Sequence, residues 1–520
     1  MLTRLFYTLC MVCFYAFDGA YADSDTPPLR IIGLNGGTAK FEHPMDSVVF
    51  HGLTPPKSKR LRTVLKTFLG EQVTPETAQM IAQTVADHFA ICECPVDVTV
   101  PEQALDRGRL FLNVRESFWN SVLIVPGDYF SSQSIQHLLT NSPGQPVNSR
   151  RLTRQLDWIN QHPHLSVTAE VSEFEDGATD LQLTIDDTDP FQVFTTYDNS
   201  GVALLGQSRF SAGFQWGNAW GIGDQWTLMA LASDEADNFH GLATRYVHLL
   251  PWMHALELDA YYIDTALRQT LLGSSIEGTN WGISANYRVP LKGDPAGSYS
   301  HDVVLGVDYK QSDSDLVFGN LLTFSDTAII QGRVGYEATL RDKWGATKAD
   351  LAWVFSPGNL SNANSDASFG QSHVGAESTY HYARLRLERV QRLAFDATLY
   401  TKGAIQWSSE RLLPSEQMSV GGAQNVRGFD EHSALGDWGA WGSLELRSPR
   451  LEWRQSELQL ICFVEGGLTG LKGVHDRQRL VSTGLGLRFQ IADHVSGFFD
   501  YGWGLNRTGG EAHIGIRAQY

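Results

Sequence analysis

From about Pro190 to Tyr520 the chain repeats one texture: short segments of alternating apolar and polar residues, broken by Gly, Asn, Asp and Ser. Alternation is the period of a β-strand, whose successive side chains point to opposite faces, and the breakers supply turns. In segment 326–341, Ala328, Ile330, Val334, Tyr336, Ala338 and Leu340 share a face against Gln331, Arg333, Glu337 and Thr339. In 377–391, Ala383, Leu385 and Leu387 oppose Arg384, Arg386 and Glu388. In 510–520, Ala512, Ile514, Ile516, Ala518 and Tyr520 oppose His513, Arg517 and Gln519. Such a polar face either borders the water around a soluble sandwich or lines the wet interior of a membrane barrel, and one segment alone does not separate the two.

The count separates them better. Sixteen segments fit between 190 and 520, among them 301–311, 326–341, 394–407, 437–450, 457–468 and 494–504. That leaves roughly 20 residues per strand and connection, which suits strands of about 10 residues crossing a bilayer. Short links (Asp342-Lys343, Arg392-Leu393, Asp493) contrast with long ones at 357–376 and 408–436. An even strand number puts both ends of a barrel on one side. After the N-terminus there is no apolar run long enough for a helical span. The expected fold is therefore mainly β: a 16-stranded antiparallel transmembrane barrel over 190–520.

The N-terminus supports that destination. Arg4, the apolar run Leu5–Phe17 and Ala20-Tyr21-Ala22 read as a cleavable signal peptide over 1–22. Cys10 and Cys13 leave with it. In the oxidising compartment beyond, Cys92 and Cys94 either pair in a strained loop or are two small residues at a turn, and Cys462 reads as barrel packing. The net charge of −18 disfavours nucleic acid as a partner, because phosphate neutralisation needs basic clusters. There is no phosphate-cradling loop, credible metal cluster or nucleophile elbow, so no cofactor and no enzyme activity are expected.

Between the leader and the alternating region one plan occurs twice. From Ser47 to Glu116 the order is strand, helix, helix, strand, strand. Leu61, Val64, Leu65 and Phe68 mark the first helix, with Gly70 as a stop. Thr74-Pro75 opens the second, whose apolar face is Ala78, Ile81, Ala82, Val85 and Phe89. Val96–Val100 and Arg109–Val114 close the unit. From about Phe118 to Asp187 the plan recurs: strand Val122–Val125, short helix Ser134–Leu139, a longer helix through Leu152, Leu156 and Ile159, and strands His164–Val171 and Asp180–Ile185.

These tandem units resemble POTRA domains, placed at 46–116 and 117–189 behind an N-terminal segment 23–45. The stretch Val100-Pro101-Glu102-Gln103-Ala104-Leu105-Asp106-Arg107-Gly108-Arg109-Leu110 resembles the P-x-Q-x-L…G-x-L link of two-partner secretion translocators, the TpsB family of haemolysin activator/secretion ShlB/FhaC/HecB type. In the longest loop, Ser419-Val420-Gly421-Gly422-Ala423-Gln424-Asn425-Val426-Arg427-Gly428-Phe429 resembles the Val-Arg-Gly-Tyr/Phe signature of the BamA-like outer-membrane superfamily that contains TpsB. The signature falls between segments 11 and 12, the sixth surface loop of the count, and in that superfamily this loop folds back into the barrel. Asp198-Asn199-Ser200-Gly201 and Asn218-Ala219-Trp220-Gly221-Ile222-Gly223-Asp224 resemble the family's barrel entry and first periplasmic turn.

The resemblance implies a carboxylate partner for Arg427 in a Phe-x-Asp-x-Gly motif on strand 13. This chain has Phe463-Val464-Glu465-Gly466-Gly467 there, with Phe463, Glu465 and Gly467 in the motif positions and Glu in place of Asp. Phe498-Phe499-Asp500-Tyr501-Gly502 on strand 15 also fits, so Asp500 is a rival, with Glu465 preferred for its position. TpsB proteins usually begin with a helix that plugs the barrel. Gly33, Gly36 and Gly37 make 23–45 a poor helix, so a plug is expected to be absent or reduced.

The implied function is export through the outer membrane. Periplasmic POTRA domains bind an unfolded TpsA-type exoprotein by strand addition, and the barrel passes it to the surface. Implied partners are that exoprotein, outer-membrane lipids, and the barrel assembly machinery during biogenesis. The alternative within the superfamily is a BamA-like factor that assembles proteins or lipids into the outer membrane, although such factors usually carry more POTRA domains than 23–189 can hold. A diffusion porin lacks such N-terminal domains.

Overall fold

The structure is a computed structural model and describes residues 45–52, 59–71, 74–91, 96–101, 108–173, 178–202, 205–267, 275–294, 297–318 and 321–520. The leader, the segment that precedes Met45, Cys92, Cys94 and residues 102–107 of the link lie outside the described residues.

The first domain contains β1 (Ser47–Gly52), α1 (Lys59–Lys66), α2 (Pro75–Ile91), β2 (Val96–Thr99) and β3 (Arg109–Glu116). The sheet order is β1-β3-β2, with β1 parallel and β2 antiparallel to β3. The Thr74 side chain caps α2 by accepting from the Thr77 amide at 3.2 Å. Ala78, Ile81, Ala82, Val85 and Phe89 bury together against Leu61, Leu110, Leu112 and Val114, while Leu65 and Phe68 pack on the edge of this cluster. Val64 is the exception on the first helix: it is exposed, because α1 turns only a narrow stripe toward the sheet.

The second domain repeats the topology with β4 (Phe118–Val125), α3 (Ser132–Gln136), α4 (Ser149–Ile159), β5 (Leu165–Glu173) and β6 (Ala178–Asp187), in the order β4-β6-β5. Trp119, Ile135, Ile159, Val167, Leu181 and Leu183 are buried. The first strand starts four residues before the apolar run 122–125, since exposed Asn120 and Ser121 carry no alternation signal yet hydrogen-bond Asp180 at 2.9 and 2.8 Å. By its contacts the chain forms two compact units. One contains the first domain with residues 117–122, 141–152 and 171–181. The other contains residues 123–140, 153–170 and 182–520.

Sixteen antiparallel strands close the barrel. They are β7 (Phe191–Asp198), β8 (Arg209–Trp216), β9 (Gln225–Ser233), β10 (Phe239–Leu249), β11 (Ala255–Leu267), β12 (Ser275–Pro290), β13 (Tyr299–Phe318), β14 (Leu321–Asp342), β15 (Gly345–Pro357), β16 (Thr379–Arg392), β17 (Thr398–Ser408), then after the short hairpin β18 (Met418–Val420) and β19 (Ala434–Gly436) of the sixth loop, β20 (Trp438–Arg447) continued by β21 (Leu451–Trp453), β22 (Ser456–Gly470), β23 (Arg477–Ile491), β24 (Val495–Gly504) and β25 (Gly510–Gln519). β20 and β21 pair in succession with β22 and form one interrupted strand; Pro449, which has no N–H to offer the ladder, stands in the gap. β13 and β14 run beyond 301–311 and 326–341, pairing Ser312 with Thr327 and Asp313 with Asp326. The polar run Ser312-Asp313-Ser314-Asp315 in that extension gives no alternation to read.

The faces are inverted relative to a soluble protein. Leu351, Leu387, Ile405, Leu444, Val464 and Leu485, on six successive strands, stand outward and are 46–59% exposed. Gln331, Gln406, Glu445, Glu465, Asp500 and His513 point inward and are buried. An apolar belt of this extent around a polar interior needs lipid. Trp252, Trp344, Phe395 and Trp453 are exposed on turns at one end, where amphipathic rings suit headgroups. The barrel is a membrane barrel. Cys462 lies on its outward face and is exposed, so it does not pack the interior. No described helix is long and apolar enough to cross a membrane.

β25 returns to β7 through a short ladder from Gly515–Asp198 to Gln519–Phe194. The Asn199 side chain lengthens it, donating to the Ala512 carbonyl at 2.7 Å and accepting from the Ile514 amide at 2.8 Å.

Candidate functional site

The loop between β17 and β20 is the sixth of its side, and it turns into the barrel. Three anchors hold it: a hairpin, an apolar cluster and a guanidinium. β18 and β19 pair through Met418–Gly436, Ser419–Leu435 and Val420–Ala434. Met418, Val420, Val426, Phe429 and Ala434 pack with Ala404 of the wall. Between the two arms, Gly421 and Gly422 take left-handed conformations that a side chain would strain, and Asn425 accepts from the Gly421 amide at 2.6 Å. The tip is thus shaped by its own residues before it meets the wall.

Arg427 follows and is 1% exposed. Its Nη2 donates to Glu465 Oε1 at 2.5 Å and Glu445 Oε1 at 2.7 Å, its Nε donates to Glu465 Oε1 at 3.1 Å, and its Nη1 donates to Asp500 Oδ2 at 2.9 Å. The Arg427 backbone N–H donates to Glu465 Oε2 at 2.6 Å. The guanidinium carbon stands 3.6 Å over the Phe463 ring. One cation facing three carboxylates would leave the site strongly negative. Arg447 covers Glu445 at 2.7 Å, and Arg488 holds Asp500 with bonds of 2.5 and 2.9 Å. The cluster of three guanidiniums and three carboxylates is therefore formally neutral. Neutrality with every charge hydrogen-bonded is what a buried ionic site requires, since a lone desolvated charge costs several kcal/mol.

Glycines create the room. Gly428 has φ of +86°, and a Cβ on it would stand 2.7 Å from the Gly502 carbonyl group. A Cβ on Gly467 would stand 2.6 Å from Val420 of the loop hairpin. The Gly428 amide is directed at His513 Nε2, 3.2 Å away on the last strand.

The two motifs that competed in the sequence both reach the loop. Phe463-Val464-Glu465-Gly466-Gly467 places a carboxylate on Arg427 and a glycine beneath the hairpin. Phe498-Phe499-Asp500-Tyr501-Gly502 places a carboxylate on Arg427 and a glycine beneath Gly428. Glu465 makes more bonds to Arg427 than Asp500 does, and its extra methylene lets one carboxylate span both guanidinium and backbone. Glu445, Arg447 and Arg488 were not singled out in the sequence. Their signal was the inward register of β20 and β23, where charged residues alternate with outward leucines.

The profile of haemolysin secretion/activation proteins ShlB/FhaC/HecB matches residues 177–489. The chain belongs to that family. Among curated relatives, the outer membrane transporter CdiB of Dickeya dadantii is 22% identical over 381 residues, covering 70% of this chain and 65% of that protein. The chain thus spans slightly under two thirds of that relative. The heme/hemopexin transporter protein HuxB of Haemophilus influenzae is 22% identical over 452 residues, covering 83% of this chain and 78% of that protein. Among solved structures, CdiB from Escherichia coli superposes with a TM-score of 0.76 at 17% identity, over 96% of this chain and 93% of that one. BamA from Haemophilus ducreyi lacking POTRA domains 1–3 gives a TM-score of 0.54 at 12% identity, over 92% and 100%. At these identities the superpositions establish the fold.

As a ShlB/FhaC/HecB barrel, the chain also has an ordered first turn between β8 and β9. Asn218 accepts from the Gly223 amide at 2.9 Å and donates to the Tyr129 carbonyl at 3.0 Å. Ser134 Oγ donates to the Gly221 carbonyl at 2.7 Å, and His162 Nε2 lies 2.7 Å from the Gly217 carbonyl oxygen. His162 Nδ1 accepts from the His164 amide at 3.2 Å, so the ring is satisfied as a neutral donor-acceptor. Burial lowers the His162 pKa to about 4 against the opposing pull of the Gly217 carbonyl, and neighbouring His164 lowers it further.

Proposed function

We propose that this chain is the outer-membrane translocator of a two-partner secretion pair. In this reading the leader 1–22 is removed, 46–116 and 117–189 stand in the periplasm as POTRA domains, and 190–520 is the pore. A TpsA-type exoprotein arrives unfolded and adds a strand to an open sheet edge. β1, β2, β4 and β5 are the edge strands available. Backbone hydrogen bonds give such pairing its tolerance of sequence. The exoprotein then enters the barrel, and folding outside draws it through without nucleotide and without covalent chemistry. Outer-membrane lipids surround the apolar belt, and the barrel assembly machinery inserts it.

The observation that carries the reading is the sixth loop, fastened inside the bore through Arg427 rather than lying at the surface. A pore that idles in the outer membrane needs an occupant, and a passing chain needs that occupant to move. Family membership and the transporter names of the two curated relatives support the same function. The test is deletion of the gene, with the culture medium and outer membrane analysed separately. The expected outcome is loss of one large exported protein with the outer-membrane protein profile unchanged. General loss of outer-membrane proteins with export intact would instead assign the chain to barrel assembly.

A further inference from the structure

Arg427 fastens the loop to β20, β22 and β24, all of which follow the loop in the chain. A second buried carboxylate ties it to strands that precede it. Glu416 lies at the base of the loop, just before β18, and is 2% exposed. Its Oε1 accepts from Lys310 Nζ of β13 at 2.7 Å. Its Oε2 accepts from Tyr382 Oη of β16 at 2.9 Å and from Gln331 Nε2 of β14 at 3.2 Å. Its backbone carbonyl accepts from Gln406 Nε2 of β17 at 3.1 Å. The four wall residues are not contiguous in sequence, and none belongs to the motifs that define the loop tip.

We propose that Glu416 is a positioning residue for the sixth loop, a second fastening that holds the loop stretched across the bore and keeps the outer mouth closed. Three observations support this. The carboxylate is nearly inaccessible and uses both oxygens, so its contacts are a built site and not a surface pairing. The Glu416 and Arg427 attachments sit on separate arcs of the wall, the seventh, eighth and tenth strands against the twelfth, thirteenth and fifteenth. A loop released at one arc is held by the other alone. Finally, Leu412 and Leu413, just before Glu416, pack with Phe369 of the helix Asp366–Ser372 in the fifth loop. Freeing Glu416 therefore loosens two loops at the outer mouth, which freeing Arg427 does not.

The experiment uses the full-length protein in planar lipid bilayers without exoprotein, so its outcome is independent of whether export is the function. Heat-modifiable mobility verifies that each variant is a folded barrel. Glu416→Gln and Lys310→Gln are each expected to open on the order of a hundredfold more often than the parent, the scale set by leaving half of a buried pair uncompensated. The single swap Glu416→Lys, facing Lys310, should open at least as often, and the double swap Glu416→Lys with Lys310→Glu should return to quiet traces. That rescue distinguishes a charge latch from general damage to packing. Parent-like traces in both single variants, or a double swap as open as Glu416→Lys alone, would overturn the proposal. If Glu416→Gln yields no folded barrel, partly exposed Lys310 still decides the question through Lys310→Gln.

Discussion

Arg427 stands where three acids converge, and the arrangement fixes what its loss should do. Arg427→Ala leaves three carboxylates against two guanidiniums in a site without water, a penalty of about 3–5 kcal/mol that falls on the seated loop. The wall ladder does not run through Arg427, so the barrel should still insert. The expected result is a drop in exported partner of about tenfold or more, with unchanged heat-modifiable mobility of the barrel; undiminished export would remove the loop from the mechanism. Among the acids, Glu465→Gln should reduce export more than Glu445→Gln, because Glu465 meets both the guanidinium and the Arg427 amide whereas Glu445 makes one bond to it. The reverse order in a quantified secretion assay would show that bond count does not govern the site. Gly428→Ala forces a side chain into a left-handed backbone against Gly502, a strain of roughly 1–3 kcal/mol, and should raise protease cleavage within the loop.

Elements explain why some of this was legible in the sequence and some was not. The period-two alternation in β16 and β25 exposed their faces, and the Val426-Arg427-Gly428-Phe429 signature located the loop. A strand's own sequence does not say which distant strand its charges meet. Thus Glu445 looked like any inward acid until β17, β20 and β22 came into register. The choice between Glu465 and Asp500 was insoluble from spacing for the same reason: both residues sit at equivalent inward positions, and one guanidinium has donors enough for each. The helix Asp366–Ser372 was hidden because its one buried anchor, Phe369, sits among polar residues. At the first turn, His162 gives a pH prediction. Its native pKa of about 4 lies below the ordinary value of 6.5, so an unfolded or undocked ring binds a proton that the docked ring refuses. The contact is unaffected above pH 6.5 and loses stability as pH falls from 6.5 toward 4, by up to about 3 kcal/mol. The protection of the amides of residues 217–224, taken relative to the intrinsic exchange rate at each pH, should fall across that window, and His162→Gln should flatten the dependence.

At the level of the whole molecule, the proposed export function assigns recognition to residues 46–187 and passage to the barrel. Deleting residues 46–187 should leave a protein that reaches the outer membrane and conducts ions but releases no partner into the medium. Export by the truncated chain would place recognition in the barrel itself. Lipid does for this fold what a core does for a soluble one: the leucines of the belt gain their burial from the bilayer, and the bore is left free to hold charge. That freedom has a consequence for the Arg427 cluster. A set of ions that sums to zero, with Arg427 and its three carboxylates buried, responds only weakly to salt, and a membrane potential exerts little net force on it. Ionic strength and voltage therefore act weakly on the Arg427 attachment, whereas another polymer entering the same bore competes for its contacts directly.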